Sequence, residues 1–128
     1  MKEVMAVIRM DMISKTKEAL LLEGFPAFNC RKVMGRGKKK VDFTFIEKFL
    51  SDGLEISSPK TAEAISEGHR LIPKRLLSLV VKDEEVKKAV DAIMTTNSRG
   101  NPGDGKIFVM PVTDSVRIRT GENGDAVL

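Results

Sequence analysis

With 128 residues, 41% hydrophobic and 31% charged, the chain has the size and balance of one globular domain that buries a core. No apolar stretch reaches the ~18 residues of a membrane span. The opening Met1-Lys2-Glu3-Val4 lacks the apolar region of a signal peptide, so a cytoplasmic protein without membrane insertion is expected. A net charge of +4 fits anionic ligands, an acidic partner surface or nucleic acid, and the single Cys30 excludes an internal disulfide framework.

Val4 to Met10 is a short apolar run with β-branched residues, as in a strand buried on both faces. Ser14 to Glu23 reads as a helix, with Ser14 in position to cap it and Gly24 to stop it. Ala27 to Gly35 reads as a second strand, with Cys30 expected to be buried as a small apolar residue. Leu76 to Val81 is a third strand. Asp83 to Asn97 is the clearest helix: Val86, Ala89, Val90, Ile93 and Met94 form one apolar stripe, and Asp83 can cap it. A fourth strand runs from Lys106 to Val112, and a short one is expected around Val116 to Arg119. The order β-α-β, long insertion, β-α-β predicts an α+β, ferredoxin-like double βαβ domain over 1–128, with helices on one face of an antiparallel sheet. Strands this apolar predict that another subunit covers the other face.

Two segments carry the chemistry. Gly100-Asn101-Pro102-Gly103-Asp104-Gly105-Lys106 is a glycine-rich loop, spanning 98–106 with its flanks, that runs straight into an apolar strand. Glycines let backbone N–H groups approach an anion, and lysine adds a point charge. The spacing matches G-x-x-x-x-G-K, but Ile107 follows where a P-loop needs Ser or Thr, and no helix comes next. The segment therefore reads either as a phosphate cradle of another design or as a turn before a strand. In 117–128, Arg117-Ile118-Arg119-Thr120-Gly121-Glu122 would put both guanidiniums on one strand face, where they need an anion, an acid or water. His69 has no second His or cysteine pair at ligand spacing, so no metal site is expected.

GDGKIF followed by RIRTGE resembles the PII family of nitrogen-regulatory signal-transduction proteins, and the resemblance runs from Met1 to Leu128 with one large departure in the middle. It implies a trimer with adenine nucleotides, ATP or ADP, in clefts between subunits. By resemblance, Gly103, Asp104, Gly105 and Lys106 contact the phosphates, and Arg117 and Arg119 reach them from the neighbouring subunit. Gly35 and Gly37 lie over the nucleotide, and Asn29 is on the strand facing the adenosine. Lys74, in Ile72-Pro73-Lys74, matches the lysine that pairs with 2-oxoglutarate; Gly37, Lys39 and Lys40 complete that expected site, with Mg²⁺ accompanying ATP. Lys39 stands where many members have a glutamine that helps hold Mg²⁺; a charged lysine has no acceptor for a metal but can pair with a carboxylate or phosphate.

The segment 36–70 matches the family's T-loop, the arm that touches target proteins, and is longer here than in ordinary members. Three of the six Phe residues lie in it, and Phe43, Phe45, Ile46, Phe49 and Leu50 read as a partner-binding patch rather than a solvated linker. No Tyr is present, so the uridylylation of ordinary members cannot occur. The long arm, the absent tyrosine and Gly35-Arg36-Gly37-Lys38-Lys39-Lys40 resemble the nitrogenase-associated branch of the family. That resemblance implies a sensor, not an enzyme, which inhibits nitrogenase by binding dinitrogenase and is relieved by 2-oxoglutarate with ATP. The implied assembly is a homotrimer or a mixture with a shorter paralogue. The rivals are a general PII regulator of an ammonium channel or glutamine synthetase, and an ATP-hydrolysing enzyme, for which no general base paired with a metal-binding hydroxyl is evident. Nucleic-acid binding is not expected, because no recognition helix or stacking platform accompanies the lysines.

Overall fold

The computed structural model describes residues 1–37 and 71–128. The expected partner patch, Lys38 to Lys40 and His69 fall outside them. The chain divides into two compact units, Met1–Val33 with Lys74–Leu128, and Met34–Pro73.

Strand β1 is Lys2–Arg9, helix α1 Ile13–Leu22, β2 Asn29–Gly35, β3 Ile72–Val81, α2 Val86–Asn97 and β4 Gly105–Pro111. They form a four-stranded sheet in the order β2-β3-β1-β4, in which β1 pairs antiparallel with both β3 and β4. This is the ferredoxin-like double βαβ fold.

β1 is buried on alternate residues rather than on both faces. Val4, Ala6 and Ile8 are at most 1% exposed and pack with Leu77, Leu79 and Val81 of β3. Leu20 of α1 and Ala89 and Ile93 of α2 close this core. Glu3, Met5, Val7 and Arg9 alternate onto the opposite face. Their paired neighbours there are Val80, Ser78, Leu76 and Lys74 on β3, and Met110, Phe108 and Lys106 on β4. Val80 and Phe108 are exposed in the single chain.

α1 starts one residue before Ser14, after a 3-10 turn at Met10–Met12, so Ser14 is inside the helix and caps nothing. It stops where expected. Gly24 takes φ +89°, the Phe25 N–H reaches Leu20 O at 2.8 Å, and the Gly24 N–H reaches Leu21 O at 3.0 Å. That paired closure needs the left-handed residue that glycine supplies, and it seats Phe25 beside Leu20 in the core.

A 3-10 turn at Asp83–Glu85 leads into α2, and the Glu85 carboxylate, not Asp83, accepts the Lys82 N–H. Met94 is half-exposed while Asn97 is buried. At about 100° per residue, Met94 lies about 80° round from Val86, whereas Asn97 returns to within about 20°. Asn97 donates through Nδ2 to Thr16 Oγ1 at 3.0 Å and to Ile93 O at 2.9 Å, which pairs its amide nitrogen at the core end of the stripe, while its Oδ1 is buried without a partner.

Two strand expectations change. β3 begins four residues earlier than its apolar run, because Lys74 and Arg75 pair with Arg9 and Ile8 of β1; Pro73 is tolerated at the strand's beginning. No strand forms at Val116 to Arg119: Val116 makes a lone bridge to Asn123, and the chain turns between them. Cys30 is exposed rather than buried, because β2 lies at the sheet edge.

Leu77 is fully buried at the centre of this core. Leu77→Ala is expected to lower unfolding stability by about 2–5 kcal/mol, read from the urea midpoint at unchanged slope. A loss below about 1 kcal/mol would mean that Leu77 is not central to the packing.

Candidate functional site

The glycine loop joins α2 to β4 and is fixed where it meets β1. Gly105 pairs with Ile8, takes φ +123°, and sits so close that an added Cβ would lie 2.0 Å from Val7 O. Only glycine fits that approach. Gly100 and Gly103 also take positive φ, +75° and +97°.

Two cations on adjacent strands grip the loop. Arg9 and Lys74 are paired residues at the end of the β1–β3 ladder. Arg9 Nη1 bonds and ion-pairs with Asp104 Oδ1, and its Nη2 donates to Pro102 O at 3.3 Å. Lys74 Nζ donates to Gly103 O at 2.8 Å. The other Asp104 oxygen accepts the backbone N–H of Arg99 at 2.7 Å and of Asn101 at 3.2 Å. Arg99 is in turn 3.5 Å from Asp11 and 2.8 Å from Met12 Sδ.

The electrostatics follow. The Arg9 guanidinium, helped by the Arg99 and Asn101 N–H groups, holds the Asp104 carboxyl down to about 2. Desolvation and then the neighbouring Arg9 charge lower the Lys74 pKa. Two cations facing one carboxylate leave an excess positive charge at the mouth of the loop, suited to an anion.

Of the residues expected to act together, Gly103, Asp104, Gly105, Lys106 and Lys74 are brought into one neighbourhood, Lys106 through its pairing with Val7 of β1. Asp104 faces Arg9, not open space. Arg117 and Arg119 do not share a strand face. Their segment is a turn closed by Gly121 N–H to Arg117 O at 2.7 Å and Arg117 N–H to Glu122 O at 2.8 Å. Arg117 ion-pairs with Glu122, and Arg119 is exposed on the turn. Asn29 opens β2, exposed, and Gly35 ends it; Gly37 is described, whereas Lys39 and Lys40 are not. Sequence reasoning missed Arg9 and Arg99. A lone arginine ending an apolar strand has no local pattern, and its partner Asp104 is 95 residues away.

Residues 1–122 match the family model described as Nitrogen regulatory protein P-II. This chain belongs to the P-II family. It is 43% identical over 129 residues to the Nitrogen fixation nifHD region GlnB-like protein 2 of Methanothermobacter marburgensis, covering 100% of both chains. It is 39% identical over 128 residues, again with 100% of both covered, to the protein of that name from Methanococcus maripaludis. Among solved structures it resembles Arabidopsis thaliana PII bound to citrate, with a TM-score of 0.69, 26% identity and coverage of 98% of this chain and 86% of that one. P-II proteins are nitrogen-regulatory proteins, and both of these archaeal relatives carry the nitrogen fixation nifHD region in their names. Among the described residues, no helix is long and apolar enough to cross a membrane.

Gly105→Ala, which meets Val7 O, is expected to destabilise the P-II chain by about 2 kcal/mol or more, while Gly100→Ala, with open space around it, costs only the backbone strain of about 1 kcal/mol. Equal losses in thermal unfolding would show that the Gly105 approach is not the constraint. Because the Asp104 value is depressed in the fold, its bonds are at full strength above the ordinary 3.8 and fail as pH falls through about 2. An NMR titration of the Asp104 carboxyl with a midpoint near 4 would show that Arg9 does not hold it.

Proposed function

We propose that this P-II protein is a nitrogen- and energy-status sensor: it binds ATP or ADP at the glycine loop and 2-oxoglutarate beside Lys74, it inhibits nitrogenase by docking on dinitrogenase through its T-loop, 36–70, and 2-oxoglutarate with ATP relieves the inhibition. The observation that carries this reading is the 2.8 Å bond from Lys74 Nζ to Gly103 O. It joins the cation suited to a dicarboxylate to the loop suited to phosphates. Lysine has three donors, so one can stay on the loop carbonyl while others meet a carboxylate. A ligand at either position then acts on the same ammonium, which is the differential contact that coupling requires. The citrate bound to the Arabidopsis PII is likewise a polycarboxylate, and the nifHD-region names of the relatives support nitrogenase as the target.

Arg117 and Arg119 would serve a neighbouring subunit's phosphates from their turn. On the outer sheet face Met5, Val7, Leu76, Val80, Phe108 and Met110 stand among Glu3, Ser78 and Lys106, with Val80 and Phe108 exposed, and such partly exposed apolar residues support a trimer because they fit burial against other copies. Mg²⁺ would accompany the triphosphate. Among the described residues no group of His, Cys, Asp and Glu is arranged for a metal, and Asp104 is committed to Arg9. A relative named Nitrogen regulatory protein P-II 2, from Methanothermobacter thermautotrophicus at 34% identity over 124 residues, supports the second reading, a general regulator of an ammonium channel or glutamine synthetase.

Calorimetric titration tests the sensor. 2-Oxoglutarate is expected to bind only when MgATP is present. Lys74→Ala is expected to weaken it about 10- to 100-fold, the loss of one charge-assisted bond, while ATP binding stays within a few-fold. ATP binding without any 2-oxoglutarate response would remove the effector half of the proposal. Affinity capture from ammonium-shocked extract is expected to retain dinitrogenase and release it with ATP plus 2-oxoglutarate; retention of an ammonium channel or glutamine synthetase would favour the second reading.

A further inference from the structure

Asp104 belongs to the glycine loop, yet its carboxylate turns back into it. One oxygen meets Arg9, and the other collects the N–H groups of Arg99 and Asn101. Two converging backbone donors are the kind of concavity that binds anions. Here the chain fills it with its own. The Asp104 N–H is also engaged, on Asn101 O at 3.2 Å, and Pro102 has no N–H to offer. Among the described residues, the N–H groups of Gly100 and Gly103 make no hydrogen bond. Both glycines have positive φ, and Gly103 lies against the two cations: a Cβ there would sit 3.4 Å from Arg9 Nη2 and 3.7 Å from Lys74 Nζ.

We infer that Asp104 is a positioning residue, an internal anion that occupies one donor pair of the loop so that an incoming phosphate meets the open donors, Gly103 above all, beside Lys74. This rests on the reading that the loop takes nucleotide phosphates. It differs from the simpler assignment of Asp104 as a ligand contact: both its oxygens are engaged, and an unpaired carboxylate beside phosphate would repel it. The loop is tied at each end, through Arg99 to Asp11 and Met12 and through Gly105 against Val7. Asp104 is the link across its middle. Fixing the donors in advance removes the ordering cost from the binding step.

The experiment replaces the internal anion and then returns it. Asp104→Ala is expected to weaken ATP at least tenfold by calorimetry, and to move the Arg99 and Asn101 amide signals in ¹H–¹⁵N spectra. Formate at tens of millimolar, small enough for the vacated position, is expected to restore both in the variant and to change neither in the unaltered protein. Asp104→Asn keeps the size and one acceptor, and it guards against a variant that fails to fold; it should show the same changes at smaller amplitude. ATP affinity in a folded variant equal to that of the unaltered protein, or a loss that formate does not reverse, would overturn the assignment. If the unaltered protein binds no ATP, the nucleotide reading fails by itself. The two amide signals and their recovery with formate then still decide whether Asp104 is the loop's internal anion.

Discussion

The cationic end of the sheet depends on the closeness of Gly105 to the carbonyl of Val7. With room for a hydrogen but not for a carbon, that meeting fixes the point at which the glycine loop becomes β4. One residue earlier, Asp104 is therefore delivered to Arg9, and Gly103 to Lys74. Neither cation could hold the loop in place if β4 were displaced along β1, because hydrogen bonds fail within a few tenths of an ångström. Steric exclusion at one glycine thus sets the positions of all the polar contacts beyond it.

β1 joins this end to the interior. As a central strand it bonds to neighbours on both sides, and its alternation divides its residues between two tasks. Val4, Ala6 and Ile8 bind the helices to the sheet, while Arg9, the next residue, belongs to the loop. The energy of the core and the aim of the guanidinium are therefore carried by one rigid segment, the arrangement in which a binding group keeps its geometry. Arg99 adds a second tie from α2's end to the turn before α1.

Much of this is legible in the sequence, and what is not has physical reasons. The order of elements follows from periodicity and from Gly24 and the glycine loop as punctuation, since those signals are local. The stripe of α2 is legible as far as Ile93, but counting apolar residues admits Met94 and passes over Asn97, whose angular position matters more than its polarity. Arg117-Ile118-Arg119 looks like a strand because alternation is its visible property; backbone bonds to Gly121 and Glu122 turn it instead. Cys30 looks like a core residue, because a strand's place at the edge or centre of a sheet is set by pairing with distant segments. Asp104 is visible as a loop residue, but not its direction, since Arg9 lies at the other end of the chain.

The insertion that opens after β2 returns as β3, and these two strands are neighbours in the sheet. Its two ends are thus held about one strand spacing apart, roughly 4.8 Å, whatever lies between them. The register of the sheet that orients the glycine loop is set by β1 against β3 and β4, outside this segment. The contacts that aim the glycine loop, made by Arg9, Lys74 and Gly105, all lie outside the segment, so its length can change without removing any of them.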